Sequence, residues 1–329
     1  MSKQQTVPMI FNQVKHINWP SLNQILATTA LPIVGIVIFL GLWSLMAKNI
    51  DTSLGKFPGP AAVWEQAIVL VGEHNAQMHK ADKFYERLEQ RNAARLLKDP
   101  SYQPKIRAFT GAPTFFEQIW TSLYTVMVGF IAASLLAIPI GILCGLSKNA
   151  YTAINPLIQL FKPVSPLAWL PLVTMVVSAV YVSTDPMFSK SFVTSAVTVA
   201  LCCLWPTLIN TAVGVSSIDK DLLNVSKVLR LNALSHVIKI VLPSSIPAIF
   251  TGLRLSLGIG WMVLIAAEML AQNPGLGKFV WDEFQNGSSQ SLARIMVAVL
   301  TIGVIGFALD RLMLALQRKF SWDKNAVLR

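Results

Sequence analysis

Arg254, Trp261 and Glu268 stand seven residues apart inside an otherwise apolar stretch at 248–270. On a helix of 3.6 residues per turn they drift only about 20° per step, so a cation, an indole and a carboxylate share one face. Arg254 and Glu268 lie about 21 Å apart at 1.5 Å per residue, less than the roughly 30 Å hydrocarbon thickness of a bilayer. Both therefore cannot reach water directly if the stretch crosses lipid, and exposing either at the lipid centre costs about 2.5–3.5 kcal/mol or more. The stripe must face protein or a water-filled path. As a path lining, Trp261 would form part of a gate, with Arg254 favourable to a passing anion and an unpaired Glu268 a barrier. As a packing face, the same residues would form an internal ion-pair or contact surface. Gly258, one turn from both Arg254 and Trp261, leaves room beside the indole.

A second cluster of charge lies at 221–247, DLLNVSKVLRLNALSHVIKIVLPSSIP, where Lys227, Arg230, His236 and Lys239 interrupt the apolar pattern. Ile218, Leu222, Val225 and Leu229 recur at steps of four, three and four, which puts them on one helical face, while Lys220 and Lys227 point away. Asp219 or Asp221 can cap the start. After Asn232 a second short helix carries Val237, Ile238 and Val241, and Pro243 and Pro247 are expected to end it. The expected product is a helix, turn and helix at the membrane surface. Three uses fit it: an interfacial anchor on anionic lipid, a plain connector, or a knob that seats an apolar face in a groove on another protein.

Other reactive side chains point away from catalysis. His16, His74, His79 and His236 form no metal set, and no nucleophile-and-base pair stands out. Cys144, Cys202 and Cys203 lie within apolar spans and read as small buried hydrophobes. The chain contains no G-x-x-x-x-G-K-[ST]; its nearest approach, PGLGKF, has Gly275 and Gly277 too close together and Phe279 in place of the magnesium-holding hydroxyl. The expectation is a non-enzyme with no catalytic residues, no metal and no cofactor of its own.

The elements that must position these residues are membrane spans. Of 329 residues 53% are hydrophobic and 13% charged, about half the charge of an ordinary soluble domain. Uncharged runs between His16 and Lys48, Glu117 and Lys148, Lys162 and Asp185, and Lys190 and Asp219 are each long enough to cross a bilayer. Two further stretches, 248–270 and 292–316, carry Arg254, Glu268, Asp310 and Arg311 inside or at their edges, giving six spans as the reading. A net charge of +11 would suggest nucleic acid for a soluble protein; in a membrane chain it reports orientation, and no nucleic acid is expected. Most Lys and Arg outside the long loop fall inside when both termini are cytoplasmic. The expected plan is a cytoplasmic lead-in at 1–23, a first transmembrane helix at 24–47 and an outer excursion at 48–118. A core at 119–318 follows, with a cytoplasmic loop at 217–243, and then a tail at 319–329. Within the excursion, Phe84, Leu88 and Leu96 are spaced for a charged surface helix, either a solvated spacer or a docking surface. Within the core, helices are expected at 119–146, 156–182 and 192–214. Pro139 should kink the first of these, Gly141 and Gly145 suit close packing, and Pro163, Pro166 and Pro171 crowd the start of the second. Trp169 and Met175 in the second helix and Trp205 in the third could line a route, although such side chains commonly pack.

The 217–243 segment resembles the cytoplasmic coupling loop of ATP-binding-cassette importer permeases, whose pattern is Glu-Ala-Ala, a Gly further on and a terminal Leu-Pro. Aligned on Leu242 and Pro243, the Glu falls on Asn224, the alanines on Val225 and Ser226, and the Gly on Arg230. These are departures, whereas the apolar face and the Leu-Pro survive. The stretches SLYTVMVGFIAASLLAIPIGILCGLSKNAYTAINPLIQLFKPVSPLAWLPLV, INTAVGVSSIDKDLL, GLRLSLGIGWMVLIAAEMLAQNPGLGKFVWD and IGFALDRLMLALQRKFSW resemble the nitrate, sulfonate and taurine branch of that family over about 120–322, and nitrate permeases most.

This resemblance implies an all-α polytopic membrane protein with the type I ABC importer permease fold and about six transmembrane helices, in a bacterial inner membrane. It implies a homodimer, two cytoplasmic ATP-binding-cassette subunits that bind ATP and magnesium, and a periplasmic solute-binding protein. Asp221, Leu222, Asn224, Val225, Ser226, Leu229, Arg230, Leu242 and Pro243 would form the contact with the ATPases. The solute would be a small oxyanion, nitrate or nitrite first, with sulfonate, taurine or bicarbonate as alternatives. An ATP-independent secondary transporter is the reading from another class; it would want inverted repeats, and none is found.

Overall fold

The computed structural model describes residues 22–320 apart from 53–54, 100, 105 and 183–186, with side chains from residue 30 onward. The expected cytoplasmic lead-in at 1–23 and tail at 319–329 therefore lie almost wholly outside the described residues, as do both termini. The chain is a succession of helices. They are α1 (Leu22–Asn49), α2 (Pro60–Lys98), α3 (Phe115–Leu146), α4 (Lys148–Phe161), α5 (Pro166–Val180), α6 (Lys190–Ser216), α7 (Lys220–Val228), α8 (Ala233–His236), α9 (Leu242–Ala271), α10 (Leu276–Asn286) and α11 (Ser291–Phe320). A π-turn at Val237–Val241 links α8 to α9, and a two-residue antiparallel pair, β1 (Asp51–Thr52) with β2 (Gly55–Lys56), follows α1.

Local chemistry sets these boundaries. Thr114 and Glu117 form a reciprocal capping box at the start of α3. Ser165 caps α5, Ser189 caps α6 and Asn232 caps α8. Among the described residues five helical stretches, 30–49, 115–146, 190–216, 233–271 and 291–320, are long and apolar enough to cross a bilayer; α4 and α5 together make a sixth if their bent pair counts as one span.

Helices α3, α6 and α9 form the centre of the bundle. A Cβ placed on Gly141 would lie 2.8 Å from the Leu208 carbonyl oxygen, and one on Gly145 2.7 Å from that of Ala212, so α3 and α6 meet backbone to backbone. The small-residue spacing of the sequence thus corresponds to close approach. Val126, Phe130, Val199, Cys203, Leu257, Trp261 and Leu264 fill the core between them.

Two expectations change. The helix expected at 156–182 is two helices meeting at 100°. Ser165 is extended (φ −60°, ψ 137°), as clash with the following proline ring demands, and Pro166 restarts the helix at its first turn. Secondly, Pro243 and Pro247 do not end the second arm of the 217–243 segment. Leu242 N–H reaches back five residues to the Val237 carbonyl, so the chain widens one turn just before Pro243 and passes on into α9. The extra residue relieves the contact a proline ring makes with the carbonyl four residues before it. Helix α3 runs through Pro139 without a break. The excursion expected to hold a charged helix holds a longer one, the 39-residue α2.

Candidate functional site

The hairpin built by α7 and α8 is locked by its own polar groups. Asp219 accepts the Asp221 N–H at 2.9 Å and starts α7. Ser226, buried, meets His236 Nδ1 at 2.7 Å across the turn, and its carbonyl takes the Leu231 N–H at 3.2 Å. Between them Arg230 adopts φ +48°, the left-handed region. That is the position onto which the family pattern places Gly, the residue with least objection to that backbone. With the inner side held this way, Leu222, Val225 and Leu229 stand 42%, 47% and 62% exposed, an apolar ridge that no part of the described chain covers. Asn224 is exposed too, whereas Leu242 and Pro243 belong to the continuous helix entering α9.

The stripe on α9 divides into two sites. At its first end Arg254 forms a two-pronged pair with Asp310 of α11, Nε to Oδ1 at 2.5 Å and an Nη to Oδ2 at 2.9 Å. One heptad on, Trp261 is buried and donates its Nε1–H to the Ile302 carbonyl at 3.0 Å. Gly306 lies flush on the indole. A cavity of about 20 Å³ sits between these groups, bounded by Arg254, Leu257, Gly258, Trp261, Gly306, Leu309 and Asp310. It is wide enough for one water molecule.

Glu268 belongs to the other site. It is fully buried, and Ser122 of α3 donates to its carboxylate at 2.8–2.9 Å while the Gly277 N–H donates at 2.9 Å. Ser122 Oγ in turn accepts the Leu276 N–H at 2.8 Å. Asn273, buried beside them, donates to Thr125 at 3.3 Å. The carboxylate therefore sits on the amino end of α10, where free N–H groups and the helix dipole favour negative charge. Side chains at Gly275 and Gly277 would collide with it or with the Ile265 carbonyl. The PGLGKF stretch thus cradles a carboxylate of its own chain. Arg254 and Glu268 share a helical face, yet each is bonded to a different neighbour.

The aromatic residues singled out in the core cluster at the bend. Phe161 lies 5.7 Å from Trp169 and stacks on Trp205 at 6.1 Å, tying α4, α5 and α6. Met175 stands apart from this cluster, 62% exposed on α5. Two functional partners escaped the sequence reading, Asp310 for Arg254 and Ser122 for Glu268. Asp310 could have been found: it is the single acid within α11, and Arg254 is the single base within α9. Ser122 carried no such signal.

Comparison with known proteins agrees with this architecture. The family model for the "Binding-protein-dependent transport system inner membrane component" matches residues 137–322, more than half of the chain. The nitrate import permease protein NrtB of Leptolyngbya laminosa is 36% identical over 198 residues, covering 60% of this chain and 66% of the relative. The chain thus spans just under two thirds of that relative's length. The bicarbonate transport system permease protein CmpB of Synechococcus elongatus is 32% identical over 289 residues, 88% of each chain. Among solved structures, an inward-facing form of the MetNI methionine ABC transporter superposes with a TM-score of 0.53 at 14% identity, over 63% of this chain and 96% of that one. At that identity the likeness speaks for the fold.

Proposed function

Because the chain belongs to the family of binding-protein-dependent transport system inner membrane components, we propose that it is the membrane-spanning subunit of an ATP-driven importer for a small oxyanion, nitrate or nitrite first. The observation that carries the reading is the hairpin: an apolar ridge of Leu222, Val225 and Leu229 left exposed on a turn that Ser226 and His236 hold rigid. Such a ridge fits a groove on a separate protein. In this reading that protein is a cytoplasmic ATPase, present twice, and a second copy of the chain and an external solute-binding protein complete the assembly. The ATP and magnesium belong to the ATPases. Along α9, the cavity beside Gly258 and Trp261 is where a gate would act, with Arg254 and Asp310 as its charge pair. Glu268, Trp169 and Trp205 hold neighbouring helices in register, and Met175 faces outward.

Bicarbonate is the second reading, favoured by a match that extends over 88% of both chains. Vesicles reconstituted with the chain, its ATPase and its binding protein decide between them when nitrate, nitrite, taurine and bicarbonate uptake are compared with and without ATP. Nitrate uptake that requires ATP is the expected result. Uptake of bicarbonate alone replaces the solute, and uptake without any nucleotide-hydrolysing partner overturns the whole reading.

A further inference from the structure

Helix α2 carries a concave basic surface far from the hairpin. Lys80, Lys83, Arg87 and Arg91 follow at steps of three, four and four and so share one face, whereas Asp82 and Glu89 fall on the opposite side and Glu86 on the flank beside Lys83. The chain returning from α2 folds back along the basic face. Tyr85 Oη accepts the Phe109 N–H at 3.2 Å, the Phe84 and Phe109 rings lie 5.6 Å apart, and Arg95 sits over the Tyr102 ring at 5.5 Å. Arg107 is thereby brought to the same place. The result is a cleft of about 390 Å³, rimmed by Lys80, Lys83, Arg87, Arg91 and Arg107 over a floor of Phe84, Leu88 and Phe109. Among the described residues no carboxylate lines it. The ion pairs among the described residues lie elsewhere, at Arg254, Lys278 and Arg294.

Its position is set by α11. Pro60, Val63 and Ala67 lie beside Val297, Thr301 and Val304, and further along α2 Glu73 bonds Arg294 near the start of α11. Because α9 carries the chain across from the hairpin, α11 starts on the opposite face of the bundle. From Glu73, α2 continues past that start by about 10 Å to Lys80 and about 27 Å to Arg91 at 1.5 Å per residue. The cleft therefore lies on the part of α2 that runs on beyond the start of α11.

Five cations around one cleft repel one another, and a singly charged ion such as nitrate offsets little of that. Guanidinium groups bind phosphate- and carboxylate-type oxygens in two-pronged pairs. We propose that this cleft binds a small polyvalent oxyanion carrying two or more such charges, a ligand distinct from any singly charged ion crossing the membrane. A half-enclosed concavity with an apolar floor suits a small molecule better than the flat face of a protein.

The test is isothermal titration calorimetry of the full chain in phosphatidylcholine nanodiscs at constant ionic strength, with inorganic pyrophosphate, citrate, nitrate and chloride as probes. Pyrophosphate or citrate is expected to saturate one site per chain, with nitrate unable to displace it. Arg87→Ala combined with Arg107→Ala should weaken binding by about tenfold or more, since two forked contacts are lost. Lys98→Ala, on the same arm but off the cleft, should stay within about twofold, as an exposed charge does. Arg87→Lys, which keeps the charge and the fold of the arm, should fall between them. The proposal is overturned if neither polyvalent anion saturates, or if Lys98→Ala weakens binding as much as the double variant. It is also overturned if the cleft ignores all four probes while the double variant loses an external protein, which would make an acidic protein surface the occupant.

Discussion

Replacing Glu268 by Ala asks whether the α9 carboxylate is a clasp between helices. In the native chain it accepts from Ser122 and Gly277 at 2.8–2.9 Å with no exposure. Its removal leaves a hydroxyl and an amide without an acceptor, about 1–3 kcal/mol each. It also opens a void beside Gly275 and Gly277, which have no side chains to fill it. The expected loss is about 3–5 kcal/mol, the two orphaned donors and the void together. At about 2 °C per kcal/mol for a chain of this length, the melting midpoint should fall by roughly 6–10 °C. Glu268→Gln should be milder, about 1–2 kcal/mol: its carbonyl can take the Gly277 N–H and its amide can donate to Ser122 Oγ, leaving one hydroxyl proton to find another acceptor. Gly275→Ala, whose methyl would overlap the carboxylate, should destabilise as well. The assay is intrinsic fluorescence melting in nanodiscs, for which the chain carries nine tryptophans. The clasp is refuted if Glu268→Ala melts within about 1 °C of the parent. It is equally refuted if Glu268→Gln alters anion uptake at an unchanged midpoint, because the carboxylate would then be a charge on the route.

The hairpin ridge makes a second prediction: Leu222→Asp with Val225→Asp should abolish co-purification of an ATPase while leaving the melting midpoint unchanged, since both side chains are exposed. Arg230→Gly should raise stability by about 1 kcal/mol, the usual cost of a side chain in left-handed backbone, measured by thermal or urea melting. Gly145→Leu should cost about 3 kcal/mol or prevent folding, because a Cβ there already lies 2.7 Å from the Ala212 carbonyl; yield and melting check it. Arg254→Ala and Asp310→Ala should each cost more than half of what the double variant costs, with a coupling of about 1 kcal/mol for a partly exposed pair, read from a double-mutant cycle.

The spans were legible because a bilayer imposes one length on every crossing helix, and the uncharged runs declared it. The ridge of Leu222, Val225 and Leu229 was legible for a related reason, since period alone assigns residues to a face, whereas Ile218, counted with it, precedes α7. Proline was the poor guide. Pro166 breaks a span and Pro243 does not, since the outcome depends on whether the preceding backbone can widen by a residue, as it does at Val237–Val241, or must turn extended, as at Ser165. Hydrogen-bonded sites were the least legible. Glu268 declared itself as a charge in an apolar run, but its donors are Ser122, 146 residues away, and a glycine N–H, groups that occur throughout any chain. Arg254 and Asp310 could be matched as lone opposite charges; Ser122 could not be matched to anything.

The same helix joins the two ends of the proposed machine. The hairpin does not end in a loop; through the π-turn it becomes α9, and α9 runs about 39 Å at 1.5 Å per residue to the Glu268 clasp. A flexible linker would dissipate a displacement of the ridge, whereas a continuous helix carries it as a tilt or a slide of the whole rod. Hydrogen bonds resist such a movement: the Arg254–Asp310 pair, the Trp261 bond to Ile302, Glu268 on α10, and Ser256 with Cys203 and Thr207. The first two hold α9 to α11, the third to α3 and α10 and the last to α6, so a moving α9 must drag these helices along or slide against them. A water-sized cavity in the α9–α11 contact, beside Gly258 and Gly306, leaves room there for sliding. Crowding it with Gly306→Ala, whose methyl would lie 3.1 Å from the Trp261 ring, should therefore slow ATP-dependent uptake more than it changes the melting midpoint. Equal effects on both would mean that α9 and α11 move as one body.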